Sequence, residues 1–254
     1  MVRALAGHAH ARIAAKILIA AAAATASTGL TAVGVRLWDP EREVLVTLVA
    51  TSGAIAFGSA TYAAAEEVRA QMAARVREKV AFVLRALAFD LHDATDLDVR
   101  DIGVSAYVRR RAWWRPWHEY LARMHRERAA WCAATSGIQW RPGMGVVGRC
   151  VSEAQDVAVD LSSVDEQLGG VARREWSRVE PDLRMGMSWR EYHKARGKYG
   201  VVLASPIIDD RGSPARVRGC VAVDAPAGSM GRITADPVRE RVASAATAVL
   251  RLVL

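Results

Sequence analysis

The sequence predicts an α+β chain: a two-helix transmembrane hairpin followed by an antiparallel sheet with flanking helices. Three observations carry that prediction. Two runs near the N-terminus, residues 17–35 and 44–65, hold no charged side chain. A charged stretch of strong helix formers without Gly or Pro follows them. Beyond it, short apolar or alternating runs are separated by glycine-containing turns, the pattern of strands. A length of 254 residues suits one ordinary domain and an added segment, and 52% hydrophobic content excludes a disordered chain.

Charge and cysteine content narrow the classes further. The net charge is +8, but the cations are nearly all arginine, with lysine only at Lys16, Lys79, Lys194 and Lys198. Base composition of the gene accounts for such a bias, so nucleic acid is disfavoured as a partner. Cys132, Cys150 and Cys220 form no CxxC pair and leave one thiol over in any disulfide scheme, which points to a reducing compartment and away from a zinc ribbon.

The first apolar run has 19 residues, about 28 Å as a helix at ~1.5 Å per residue, and the second has 22, about 33 Å. Residues 36–43 connect them, with Pro40 as a turn residue and Trp38 placed as an interfacial aromatic. Arg3, Arg12 and Lys16 precede the pair, and Arg69, Arg75, Arg77 and Lys79 follow it. The positive-inside rule then places residues 1–16 and the C-terminal part in the cytoplasm, with residues 17–65 as a multi-pass segment of the cell membrane. Two other readings stay open: cleavage of a signal peptide near Ala24-Thr25-Ala26, and burial of both runs as alanine-rich core helices.

Residues 66–91 read as one long connecting helix. Val68, Met72, Val76 and Val80 step by four, and Val80, Val83, Leu87 and Leu91 continue the stripe, nearer an 11-residue repeat than strict heptads. Such a helix pairs with a second copy as a nearly straight coiled coil, giving a homodimer, or it lays its apolar face, widened by Phe82 and Phe89, on the sheet that follows.

The strands come next. Residues 92–101 form a loop, and residues 102–108 alternate as a strand. Arg109, Arg110, Arg111, Trp113, Trp114, Arg115 and Trp117 then crowd cations and indoles together, a candidate surface for the lipid bilayer. Residues 118–131 suit either a short amphipathic helix or a second strand. A glycine-rich turn over residues 137–148 leads into a short helix, and residues 156–161 form a strand. Residues 199–208 and 218–224 read as a hairpin across the turn Asp209-Asp210-Arg211-Gly212. Asp236 is placed as N-cap of a last helix, with Pro237 at its first position.

The order of these pieces, with WxPGxGxxG-like residues 140–150 and a Tyr199–Pro206-Ile207–Asp209 strand leading to Gly219-Cys220-Val221-Ala222-Val223-Asp224, resembles the GAF domain family over residues 80–254. The resemblance implies an antiparallel sheet with helices on one side and a small-molecule pocket on the other, and it implies a regulatory module. The cyclic-nucleotide branch of that family carries an NKxxxFxxxDE signature, and this sequence contains no asparagine. Residues 162–198 fall where such a fold builds its pocket cover. Together with Trp140 they supply the candidate ligand-binding residues Trp140, Trp176, Met185, Trp189, Tyr192, His193 and Lys198, aromatic faces and cations suited to a planar or anionic ligand.

No Walker lysine, GxSxG elbow or HExxH spacing is present, and no metal site or catalytic residue is assigned. The expectation is therefore a non-enzymatic, membrane-anchored sensor in signal transduction, responding to a small ligand or a protein partner, with its cofactor unidentified. Its alternatives are a membrane effector whose hairpins assemble when the domain is occupied, and a ligand-free dimerisation module.

Overall fold

The computed structural model describes residues 41–112, 115–127 and 137–254. The chain divides into two compact units, Met1–Ala74 and Arg75–Leu254. Helix α1, Arg42–Thr95, runs through the division. It is longer at both ends than the predicted connecting helix, because nothing from Glu43 to Thr95 interrupts it except Gly53 and Gly58, which a helix tolerates at a cost.

In the first unit, Val46, Val49, Phe57, Tyr62, Val68 and Met72 are exposed along α1. The hydroxyls of Thr47, Thr51, Ser52 and Ser59 donate to carbonyls three or four residues back, so they do not interrupt the helix. Among the described residues no helix is long and apolar enough to cross a membrane. That finding corrects the second span, and with it the two-span hairpin and the multi-pass localisation in the cell membrane. The physical reason lies in residues 44–65, where 14 of 22 positions are Gly, Ala, Ser or Thr and only the remainder strongly favour hydrocarbon. Residues 17–35 lie outside the described residues.

In the second unit, five strands form one antiparallel sheet in the order β2-β1-β5-β4-β3. The strands are β1 Gly103–Ala112, β2 Arg115–Glu127, β3 Val157–Asp160, β4 Val201–Asp209 and β5 Arg216–Ala225. Residues 118–127, left open between helix and strand, belong to β2, because β1 pairs with them along almost its whole length. The predicted loop at residues 92–101 is shorter than expected: α1 continues to Thr95 and a 3-10 turn occupies Val99–Asp101.

Side-chain alternation along the strands separates two apolar layers. Val221, Val223 and Ala225 of β5 face one side with Val104 and Ala106 of β1, and there they meet Val80, Leu84, Leu87 and Leu91 of α1. The last helix joins the same layer through Val238, Val242, Ala246 and Val249. Its first residue is Asp236 and its cap is Ala235, one residue before the predicted N-cap. Phe82 and Phe89 do not widen the buried face of α1. They are 74% and 54% exposed, since at 100° per residue they point away from Leu84 and Leu91.

Cys220 and Ala222 face the opposite side of the sheet, against a second layer built from shorter helices. These are α2 Gly145–Glu153, α3 Leu161–Leu168, α4 Pro181–Arg184 and α5 Trp189–Ala195; on the first side, α6 Met230–Ile233 precedes α7 Asp236–Val253. An antiparallel five-stranded sheet with flanking helices is consistent with a GAF-like fold.

Candidate functional site

The second layer does not fill its side of the sheet. A cavity lies between β1, β2, β4, β5 and the helices α2, α3 and α5. Its floor follows from register. Ser105 stands opposite Arg126 of β2 on one side and Ala222 of β5 on the other, while Gly103 stands opposite Asp224. Arg126 and Asp224 therefore meet diagonally across β1, where the Arg126 Nη2–Asp224 Oδ2 distance is 3.4 Å and their side chains are only 6% and 5% exposed. Glycine is needed at 103, because a Cβ there would run into the Asp224 carboxylate.

Two further contacts tune this corner. The guanidinium of Arg126 lies 5.5 Å from the centre of the Tyr199 ring, a cation–π arrangement. Burial, with Tyr199 adding to it, pushes the Tyr107 phenol up to about 12, so Tyr107 keeps its proton at any ordinary pH. Around this polar corner Val146, Val147, Val164, Met185, Met187 and Val202 form an apolar wall, and Asp165 and Arg196 line the cavity as well.

The cover is held by local sequence signals. Ser188 caps α5, accepting from Glu191 N–H, and Glu191 Oε2 accepts in return from Ser188 N–H at 2.8 Å, a complete capping box. Burial alone would raise the Glu191 carboxyl, and the Ser188 donors with Arg141 outweigh it, leaving the group below its usual range. Arg141 also ties the cover to the glycine turn through Glu191 at 3.2 Å. In that turn Gly145 has φ +65°, and a side chain there would strike the Trp140 ring.

The structure brings three of the sequence-predicted ligand residues to the cavity wall: Trp140, Met185 and Tyr192. Trp176 is buried behind them, stacked on Tyr192 at 5.0 Å with its Nε1–H donating to Met187 O at 3.0 Å. Trp189 donates to Val171 O and stacks on His193 at 3.9 Å, with His193 exposed, and neither residue lines the cavity. Lys198 is half-buried and also lies off the lining.

Among the candidate membrane-surface residues, Arg109 and Arg111 both bind Glu119 across the β1–β2 hairpin, Arg111 Nε at 2.8 Å. Arg110 is exposed, Trp117 is 78% exposed, and Arg115 stands opposite Ala112 in the strand pairing. Trp113, Trp114 and Cys132 lie outside the described residues.

Arg126 and Asp224, the polar centre of the cavity, escaped the sequence reading. The available signal was a carboxylate inside the apolar run of β5, since a buried charge requires a partner. Cys150 and Cys220 are buried below the cavity and do not line it. Cys220 Sγ–H donates to Val147 O at 3.6 Å. The neighbouring Cys150 and then burial push the Cys220 thiol well above its usual range, so it is a poor nucleophile at neutral pH. Among the described residues no cluster of three metal-ligating side chains occurs.

No family model matches the chain, and no curated protein matches it. Solved structures show a likeness, among them two reductases. One is a type II free methionine-R-sulfoxide reductase from Thermoplasma acidophilum, with 11% identity and a TM-score of 0.40 over 69% of this chain and 94% of that one. The other is the reduced form of fRMsr of Staphylococcus aureus, with 16% identity and a TM-score of 0.37 over 72% of this chain and 95% of its own.

These structures correct the expectation of a non-enzymatic sensor. The case against catalysis rested on missing catalytic motifs and on the regulatory character of the family that the sequence resembles, whereas one of these two structures is a free methionine-R-sulfoxide reductase and the other an fRMsr. The assignment to signal transduction, with its effector and dimerisation alternatives, is set aside with it.

Proposed function

We propose that the unit Arg75–Leu254 takes up a free amino acid or a zwitterion of similar size in this cavity. One observation carries the proposal: a buried cation and a buried carboxylate, Arg126 and Asp224, lie side by side in the lining of a largely apolar cavity, which Asp165 and Arg196 also line. Buried ion pairs are a weak source of stability, because desolvation offsets most of their attraction. A pair that opens on a cavity is better suited to a ligand that brings the opposite charges, a carboxylate for Arg126 and an ammonium for Asp224. Val146, Val164, Met185 and Met187 then receive an apolar side chain.

Free methionine-R-sulfoxide, named for the Thermoplasma acidophilum structure, is a zwitterion of this size and belongs in the first panel, with its consumption followed as well as its binding. A thiol that reduced it would have to reach its sulfur. Cys150 and Cys220 do not reach the cavity, so turnover through either of these two is not expected.

The test is the melting temperature of the full chain against the free amino acids and methionine sulfoxide. A ligand at 100 times its dissociation constant adds about 2.7 kcal/mol, or about 5–10 °C for a domain of this size. Shifts confined to zwitterions with apolar side chains support the proposal. A flat response across the whole panel refutes it.

A further inference from the structure

The antiparallel order β2-β1-β5-β4 places two turns at one end of the sheet. β1 and β5 pair from Gly103 opposite Asp224 only as far as Val108 opposite Gly219. Beyond that point residues 109–112 pair with β2 alone, and residues 216 and 217 with β4 alone. The sheet splits there into two projecting ribbons, side by side because β1 and β5 are adjacent strands. Residues 109–119 hold four arginines and one carboxylate, and residues 208–218 hold three arginines and two carboxylates. The two ribbon ends together therefore carry a formal charge of +4, half the +8 of the whole chain.

The ribbons are built alike. In the first, Glu119 accepts from Arg109 Nε–H at 2.7 Å and from Arg111 Nε–H at 2.8 Å. In the second, Asp209 accepts from Arg218 Nη2–H at 2.8 Å and from Arg211 Nε–H at 3.1 Å. Each carboxylate thus holds two partly exposed guanidinium groups in place, which lowers the ordering cost of meeting an anion. Each ribbon adds one further exposed arginine, Arg110 or Arg216, with no ion-pair partner among the described residues. Apolar side chains accompany the cations. Because Arg111 stands opposite Glu119 and Ala112 opposite Arg115, residues 116–118 bulge out of the ladder, and Trp117 in that bulge is 78% exposed. Ile208 of the other ribbon is 40% exposed.

We propose that this end of the sheet rests on an anionic phospholipid bilayer, with the arginines on lipid phosphates and Trp117 at headgroup depth. The excess of cations sets the sign of the partner, and an exposed indole among them suits the boundary between headgroups and hydrocarbon. A nucleic-acid strand is held in a continuous groove that tracks its backbone; two projecting ends suit a flat surface instead. The contact is peripheral, so it needs no membrane-spanning helix, and it is independent of the cavity.

The experiment measures binding of the full chain to vesicles of phosphatidylcholine and to vesicles of equimolar phosphatidylcholine and phosphatidylserine, by flotation. Wild type prefers the anionic vesicles, and added salt reduces the preference. Arg110→Gln with Arg216→Gln weakens binding to the anionic vesicles by about tenfold or more, and Trp117→Ala weakens it as well. All three positions are exposed, so the melting temperatures of these variants stay at the wild-type value and folding is not in question. Equal binding of wild type to both kinds of vesicle, or an anionic preference undiminished in the double arginine variant, overturns the proposal. Tighter binding of a single-stranded oligothymidylate than of the anionic vesicles, lost in the same double variant, overturns the assignment to lipid and makes this end a nucleic-acid surface.

Discussion

Replacing Arg126 with methionine removes a cation that pairs with the buried Asp224 carboxylate and keeps most of the side-chain volume. The two side chains are 6% and 5% exposed, so water does not screen the survivor freely. Breaking a buried pair from one side costs about 3–5 kcal/mol. Asp224 lines the cavity, which places this case near the lower bound, about 3 kcal/mol, or roughly 6–12 °C in melting temperature. Urea unfolding of the full chain, followed by tryptophan fluorescence, reads the loss. A second variant isolates its cause: Arg126→Met with Asp224→Leu removes both charges and recovers to within about 1 kcal/mol of wild type. A single variant as stable as wild type, or a double variant whose loss is the sum of two independent losses, would refute the reasoning that the charges are buried and coupled.

Other predictions concern the frame of the site. Gly103→Ala displaces the Asp224 carboxylate, since a Cβ at 103 occupies its place; the variant loses zwitterion binding, and an unchanged titration contradicts the register argument. Leu84→Ala empties a fully buried position between α1 and the sheet, and it lowers stability by about 2–5 kcal/mol in urea unfolding. The Asp209 carboxyl, held by Arg218 and then Arg211, sits at about 2 against an ordinary 3.8. Its contribution is present above pH 4 and is lost as pH falls through 2, so the gap in melting temperature between wild type and Asp209→Asn closes over that window; a constant gap contradicts it. Cys150 and Cys220 stay unmodified when the folded chain is treated with an alkylating reagent at neutral pH, as peptide mapping shows, and rapid labelling of either refutes their burial.

How much was legible in advance depended on whether local pattern decided the matter. The strands of the β4–β5 hairpin are continuous apolar or alternating runs about a polar turn, and their assignment needed nothing from the rest of the chain. Residues 118–127 were ambiguous because HEYLARMHRE alternates poorly and fits either a helix or a strand; pairing with β1 decided it. Arg126 was lost with that ambiguity, since its place opposite Ser105 exists only in the sheet. Trp140, Met185 and Tyr192 were chosen as aromatic or soft side chains in the covering region, and they line the cavity. Trp176 and Trp189, chosen by the same rule, use their indole N–H groups to hold the cover. Residue type does not distinguish these two uses, and only the direction of each side chain does. The capping box at Ser188 and Glu191 was present in the sequence as S-W-R-E and would have fixed the start of α5.

The most direct test of the central claim uses the two charges of the ligand separately. The full chain is titrated with norleucine, with N-acetylnorleucine, which lacks the cation, and with norleucinamide, which lacks the anion. The Arg126–Asp224 site predicts measurable binding of norleucine, loss of at least tenfold for each blocked derivative, and insensitivity to the amide block once Arg126 is replaced with methionine. Equal binding of all three compounds, or of none, would contradict it.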